Sequence, residues 1–194
     1  RPPTRLYLGI AAAAGAVLAL EIGLTRLFSY TIWYHFAYLT ISVALLGYGA
    51  AGSLLAAWPR LGRPGALAWW AVGAEAGVIR VLPLDPLALA SDAGQLLRLL
   101  AYYAAVTLPF LCGGFLVAAP LQQHPRAVGR LYFADLLGAG LACAGIVPLI
   151  WWVETPVATA ATALLFAAAA VAYAEPGRRS RPALAAGAVA VAAI

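Results

Sequence analysis

Apolar residues fill this sequence in long blocks, and polar residues are confined to the short joints between them. The blocks run at about 6–27, 36–57, 66–82, 96–119, 131–153 and 156–174, with a shorter run at 183–194. A helix needs about 20 apolar residues to cross roughly 30 Å of hydrocarbon, and most of the blocks meet that length. The pattern predicts an all-α fold: a polytopic transmembrane helical bundle of six full spans plus the start of a seventh. The joints "WPRLGRPG", "LPLDP", "PLQQHPRAVGR" and "EPGRRSRP" gather the prolines, arginines and other polar residues that close one span and open the next. Thr155-Pro156 reads as an N-cap with proline at the first helical position of span six. The run at 183–194 is too short to cross, so the chain is expected to continue beyond Ile194. "RPPTRLYLGIAAAAGAVLAL" has the layout of a signal peptide, but no polar mature domain follows, so it is read as the first membrane helix.

Composition agrees with the pattern. Hydrophobic residues make up 64% of the chain and charged residues 10%, and mean hydropathy is +0.91, values that exclude a soluble domain of this length. The twelve basic residues are all arginine, against seven acids, for a net charge of +5. They lie at span ends, singly or in small groups, which is the pattern of membrane topology and not of a nucleic-acid-binding face. With the N-terminus cytoplasmic, nine arginines (1, 5, 60, 63, 126, 130, 178, 179, 181) fall inside and three (26, 80, 98) outside, the expected inward bias. The partner this implies is the lipid bilayer, here the bacterial inner (cytoplasmic) membrane. Tyr30, Trp33, Tyr34, Trp58, Trp69, Trp70, Trp151 and Trp152 stand near the span boundaries as an anchoring belt. The one long outer joint, "LPLDPLALASDAGQLLRLL", offers Asp85-Pro86 as the start of a short helix and Asp92 with Gln95 as a capping box for span four. It is read either as an interfacial element or as a plain connector.

Four ionisable residues lie within or at the edge of apolar spans: Glu21, Arg26, Glu75 and Asp135. A charge in hydrocarbon is costly, so such groups face the bundle interior and find partners. Glu21/Arg26, Glu75/Arg80 and Arg130/Asp135 are each five apart, which leaves the paired side chains about 140° apart round a helix, whereas good pairing needs a separation of three or four. Partners on other helices are expected instead. Glu21, Arg26, His35, Glu75, Arg80 and Arg98 would form an outer cluster. Asp135 would join Arg60, Arg63, Arg126 and Arg130 on the inner side. Three readings stand: ion pairs that fix packing, a substrate or proton path through the outer cluster, and snorkelling to the interface.

Small residues supply the packing logic. Asp135, Gly138, Ala142 and Gly145 are spaced 3, 4 and 3 and share one face of span five. Such a stripe lets another backbone come close, and Asp135 is expected to lock that neighbour by pairing with one of its polar groups. Gly73 and Gly77 form a GxxxG on span three, and Gly47 and Ala51 serve span two similarly. Pro109 and Pro148 interrupt spans four and five.

Enzyme signatures are missing: no GxGxxG after a strand, no P-loop, no HExxH and no GxSxG. Cys112 and Cys143 have no further ligand near them in sequence and read as small buried hydrophobes. His35 and His124 lie near span ends, poorly placed for a haem in the bundle. No cofactor, metal or catalytic residue is expected in this chain.

Three stretches, "LEIGLTRLFSYTIWYHFAYLTISVALLGYGAAGSL" (20–54), "LPFLCGGFLVAAPL" (108–121) and "VGRLYFADLLGAGLACAGIVPLI" (128–150), together resemble the membrane domain of multi-spanning spermidine synthase-like proteins. The similarity covers most of residues 6–175. Its recurrent features fall on Glu21 and Arg26 in span one, and on Gly129, Arg130, Leu131, Tyr132, Asp135, Gly138 and Ala139 in span five. The resemblance implies a membrane region that precedes a soluble domain of aminopropyltransferase-like Rossmann fold, which would hold the nucleotide-binding and catalytic acids. With the N-terminus inside, a cytoplasmic catalytic domain requires an eighth span after Ile194. This chain would then anchor or scaffold an enzyme without being one. Two other readings stay open: a structural subunit docking other membrane subunits, and a small-molecule transporter using the outer cluster and the proline-interrupted spans.

Overall fold

Where the backbone lies in hydrocarbon, its N–H and C=O groups have no water to bond, so an alanine- and leucine-rich chain satisfies them within helices. The computed structural model describes residues 2–31, 35–81 and 95–174, and all regular structure among them is helical. Helix α1 runs Thr4–Thr31 and α2 His35–Ala57; a 3-10 turn at Pro59–Gly62 leads into α3, Pro64–Val81. Helix α4 runs Gln95–Gln123, and a 3-10 turn at Pro125–Ala127 joins it to α5, Val128–Trp152. Helices α6 (Thr155–Ala160) and α7 (Thr162–Tyr173) meet at Ala161 and form one apolar length. Five lengths are long and apolar enough to cross a membrane: Thr4–Ser29, Tyr38–Ala57, Leu100–Gln123, Pro125–Trp152 and Thr155–Tyr173. Helix α3, with 18 residues, packs among them. The outer joint with Asp85 and Asp92, and the run at 183–194, lie outside the described residues.

Helix α1 packs against α2, α4, α5 and α7, α4 packs against α1, α2 and α3, and α3 lies between α4 and α7. Phe110, Phe115, Phe166, Ile10, Leu20 and Leu116 are fully buried among these helices. Lipid tails are as apolar as leucine, so close packing, not flight from water, must hold helices together. The small residues do this. A Cβ on Gly138 would run into the backbone of Ala11, and one on Gly15 would meet the Gly138 carbonyl at 2.9 Å, so α1 and α5 touch main chain to main chain. On the other flank Gly47 sits against Phe110, and Gly114 against Ala51, closing α2 on α4.

Beyond Ala142 the α1–α5 seam follows every fourth residue, to Ile146 and Ile150, which pack with Ala19 and Ala158. Those branched side chains hold the backbones apart. Gly145 is therefore not in the seam: a Cβ there would meet nothing within 4 Å among the described residues. Gly73 makes only an ordinary contact, toward Cys112, and the contacts of Gly77 lie outside the described residues.

Helix α4 runs through Pro120 to Gln123, past the expected end at 119. A proline has no N–H, which leaves the carbonyl four residues earlier without its helical donor. That carbonyl, on Leu116, accepts a 2.7 Å hydrogen bond from the Tyr173 hydroxyl of α7. The Tyr173 ring lies over Gly9, where a Cβ would come within 2.9 Å of it. One tyrosine thus ties α7 to both α1 and α4. Two further expectations shift. Glu154, not Thr155, is the N-cap of α6, and it makes no side-chain cap. Trp70 is not part of the exposed belt: it stacks on Phe115 with centroids 4.6 Å apart and donates from Nε1 to the Leu61 carbonyl.

Candidate functional site

The chemistry available inside the bundle is carried by three carboxyls and a few hydroxyls. Glu75, on α3, is completely buried, and neither carboxyl oxygen has a hydrogen-bond partner among the described residues. Gly73 faces Cys112 and Trp70 faces Phe115, so this antiparallel register sets Glu75 at the level of Pro109 and Phe110 on α4. Burying a polar group without a partner is costly, which makes Glu75 the most exceptional side chain in the bundle.

Glu21 is half-buried on α1 and lines a surface depression with Leu18, Ile22, Thr25, Arg26 and Ser29. Arg26 shares that depression but is exposed, and the two make no ion pair among the described residues. The two residues border the same depression, but five residues of separation is not the three or four that brings helical side chains into a pair. The side chains of His35, Arg80 and Arg98 lie outside the described residues, so Glu21, Glu75 and Arg26 are what the structure describes of the outer cluster.

Asp135 does not pair with the arginines expected around it. It is half-buried on α5, makes no hydrogen bond or ion pair among the described residues, and lies within electrostatic reach of Tyr48 on α2 and Tyr173 on α7. Arg60, Arg63, Arg126 and Arg130 are exposed instead. The reason is geometric. Asp135 lies more than a helical turn past Arg130 and turns toward α1, whereas the arginines reach the surface. Tyr48 also lies within reach of the Glu21 charge. The two tyrosines are the polar residues that sequence reasoning passed over. For Tyr48 the signal was position, inside an apolar block and not at its boundary; Tyr173 stands at the end of its block, where an anchoring role is the ordinary reading.

The hydroxyls of α6 and α7 are satisfied locally. Thr159 Oγ1 donates to the Thr155 carbonyl and Thr162 Oγ1 to the Thr159 carbonyl, each at 2.7 Å. Cys112 is buried and Cys143 half-buried, both as free thiols. Among the described residues, no three His, Cys, Asp or Glu side chains come together as a metal site needs.

The arginine-rich end is built from several joints. The Gln123 amide nitrogen donates to the Gly62 carbonyl, and Arg5 Nη1 donates to the Ala174 carbonyl at 3.3 Å. Pro3, Arg5, Pro64, Gln123, His124 and Tyr173 border one pocket there, so the start of α1, the α2–α3 joint, the α4–α5 joint and the end of α7 are gathered on one side. Comparison with protein-family models, with curated proteins and with solved structures finds no match to this chain.

Proposed function

We propose that this chain is the membrane domain of a spermidine synthase-like protein and that it anchors and scaffolds a soluble domain, with no catalytic site of its own. The observation that carries this reading is the use made of the three resembling stretches. Gly47 and Ala51 from the first, Gly114 from the second, and Gly138 and Ala142 from the third are all close-approach contacts between helices. The resembling stretches thus supply the contacts that hold the bundle together, and Gly138, one of the recurrent features, is among them. We take the bundle to have six crossings, with the arginine-rich end cytoplasmic. In support, the start of α1 and the end of α7 lie together through Arg5 and Ala174, as an even number of crossings would bring them. Five long apolar helices give an odd number, so α3 completes the set; its 18 residues extend about 27 Å, close to the hydrocarbon thickness.

The full reading frame tests the proposal. It is expected to encode a glycine-rich strand–turn–helix after Ile194. Limited proteolysis of the expressed whole is expected to release that part, leaving residues 1–194 in carbonate-washed membranes. A frame without such a segment removes the anchoring reading. Glu75 favours a second reading, a transporter in which this carboxyl takes part in the pathway. Uptake lost in Glu21→Gln and Glu75→Gln, with folding intact, supports it; unchanged uptake removes it.

A further inference from the structure

The α4–α5 joint combines features that no helix-packing role uses. It borders a cavity of about 650 Å³ lined in part by Pro2, Gln123, His124, Arg126 and Arg130, and no acidic side chain takes part in the lining among the described residues. Arg126 and Arg130 are exposed, and neither has an ion-pair partner among the described residues. Helix α5 begins between them. Its N-cap, Ala127, has no side chain that could accept from the backbone, and its first turn carries no acid. The first turn of this 25-residue helix thus has no side-chain cap and no acid, and it starts beside two guanidinium groups, so the positive end of the helix dipole and the arginines add together, an arrangement that attracts anions. His124 is fixed at the edge of the cavity, its Nδ1 donating to the Pro120 carbonyl at 3.2 Å.

The surface next to this joint narrows the choice of anion. Arg130 is followed along one face of α5 by Phe133, Leu137 and Leu141, which are 66%, 48% and 66% exposed. The spacing of three, four and four keeps them in one line. The adjoining face of α5, with Leu131, Ala134 and Gly138, is buried toward the bundle. A free phosphate would answer the arginines but leave the apolar line bare. An amphiphile with an anionic head answers both.

We propose that the α4–α5 joint is a binding site for an anionic phospholipid. Arg126, Arg130 and the first N–H groups of α5 hold the phosphate, and an acyl chain lies along Phe133, Leu137 and Leu141. The site uses only the membrane setting of the bundle and stands independently of the anchoring reading, so either can fail without the other.

The test uses the whole chain purified in mild detergent, titrated separately with phosphatidylglycerol, phosphatidylcholine and inorganic phosphate, with bound lipid counted by native mass spectrometry. Phosphatidylglycerol is expected to bind in preference to phosphatidylcholine. Its affinity is expected to fall about fivefold for each arginine lost in R126Q and R130Q. R126K/R130K keeps most of the binding, because the positive charges remain. R60Q/R63Q removes two arginines at the same end but outside the cavity and is expected to change the affinity little. Equal binding of phosphatidylcholine overturns the proposal, as does an unchanged affinity in R126Q/R130Q, which would give these arginines to topology or to a protein partner. A loss in R60Q/R63Q as large as that in R126Q/R130Q would replace the site with a diffuse surface field. Inorganic phosphate that displaces phosphatidylglycerol completely would make the ligand a free anion and overturn the lipid assignment.

Discussion

A methyl group added at position 138 has nowhere to go, because what it meets is the backbone of Ala11 and not a side chain that could swing aside. Gly138→Ala must therefore push α1 and α5 apart, at a cost of about 1–3 kcal/mol. The expected readout is a lower Tm in detergent, with earlier aggregation. Gly145→Ala faces open space among the described residues, and alanine is better than glycine inside a helix by about 0.5–1 kcal/mol, so its Tm should hold or rise. If the two substitutions behave alike, the seam has been misplaced. Helical spacing alone put both glycines on one stripe. What it could not reveal was that Ile146 and Ile150, at every-fourth spacing, take over the outer half of the seam. Glu75 allows a second prediction at this scale. A buried polar group with no partner costs about 1–3 kcal/mol, so Glu75→Met, similar in length and apolar, is expected to raise the Tm. A clear fall would mean that the carboxyl has a partner whose loss the protein feels. The sequence marked Glu75 as exceptional because it is an acid in an apolar block; its complete burial depends on α3 packing against α4 and α7, which no local pattern encodes.

Helix boundaries were legible where an apolar block ended at a proline- or tryptophan-marked joint, as at Ala57 and Trp152, whereas α1 runs to Thr31, past the expected end at 27. The end of α4 was not legible either. A proline followed by a polar run ordinarily closes a helix, but here Tyr173, 57 positions away from Leu116 in the chain, supplies the hydrogen bond that Pro120 cannot. This makes the two side chains energetically dependent on each other. Tyr173→Phe is expected to cost about 1 kcal/mol, the usual net worth of such a bond. In a Pro120→Ala background the alanine N–H can restore the helical bond to Leu116, so the same Tyr173→Phe change should cost much less. A double-mutant cycle on thermal or denaturant unfolding reads the coupling directly. A coupling of zero would mean that Tyr173 is held by its ring over Gly9 alone, with the hydroxyl bond contributing nothing.

At the scale of the whole molecule, the charge pattern and the helix packing point to the same division of ends. Arg5, Arg60, Arg63, Arg126 and Arg130 lie at the end where Arg5 meets Ala174, and Arg26 with Glu154 lies at the other. The sequence supplied the division itself, because the sign of a joint can be read without knowing how the helices pack. What it could not supply is the closure of the bundle, the contact between the first and last helices on which the proposed even count of crossings rests. Both parts can be tested together. In a background with Cys112 and Cys143 replaced by alanine, Arg60→Cys and Glu154→Cys place single thiols at exposed positions on opposite ends. In inside-out vesicles a membrane-impermeant maleimide is expected to label position 60 at once and position 154 only after the vesicles are opened. The reverse order would invert the orientation drawn from the arginines. Labelling of both positions from one side would mean that α3 does not cross. Position 60 precedes α3 while position 154 follows α3, α4 and α5, so only an odd number of crossings between them can put them on opposite faces.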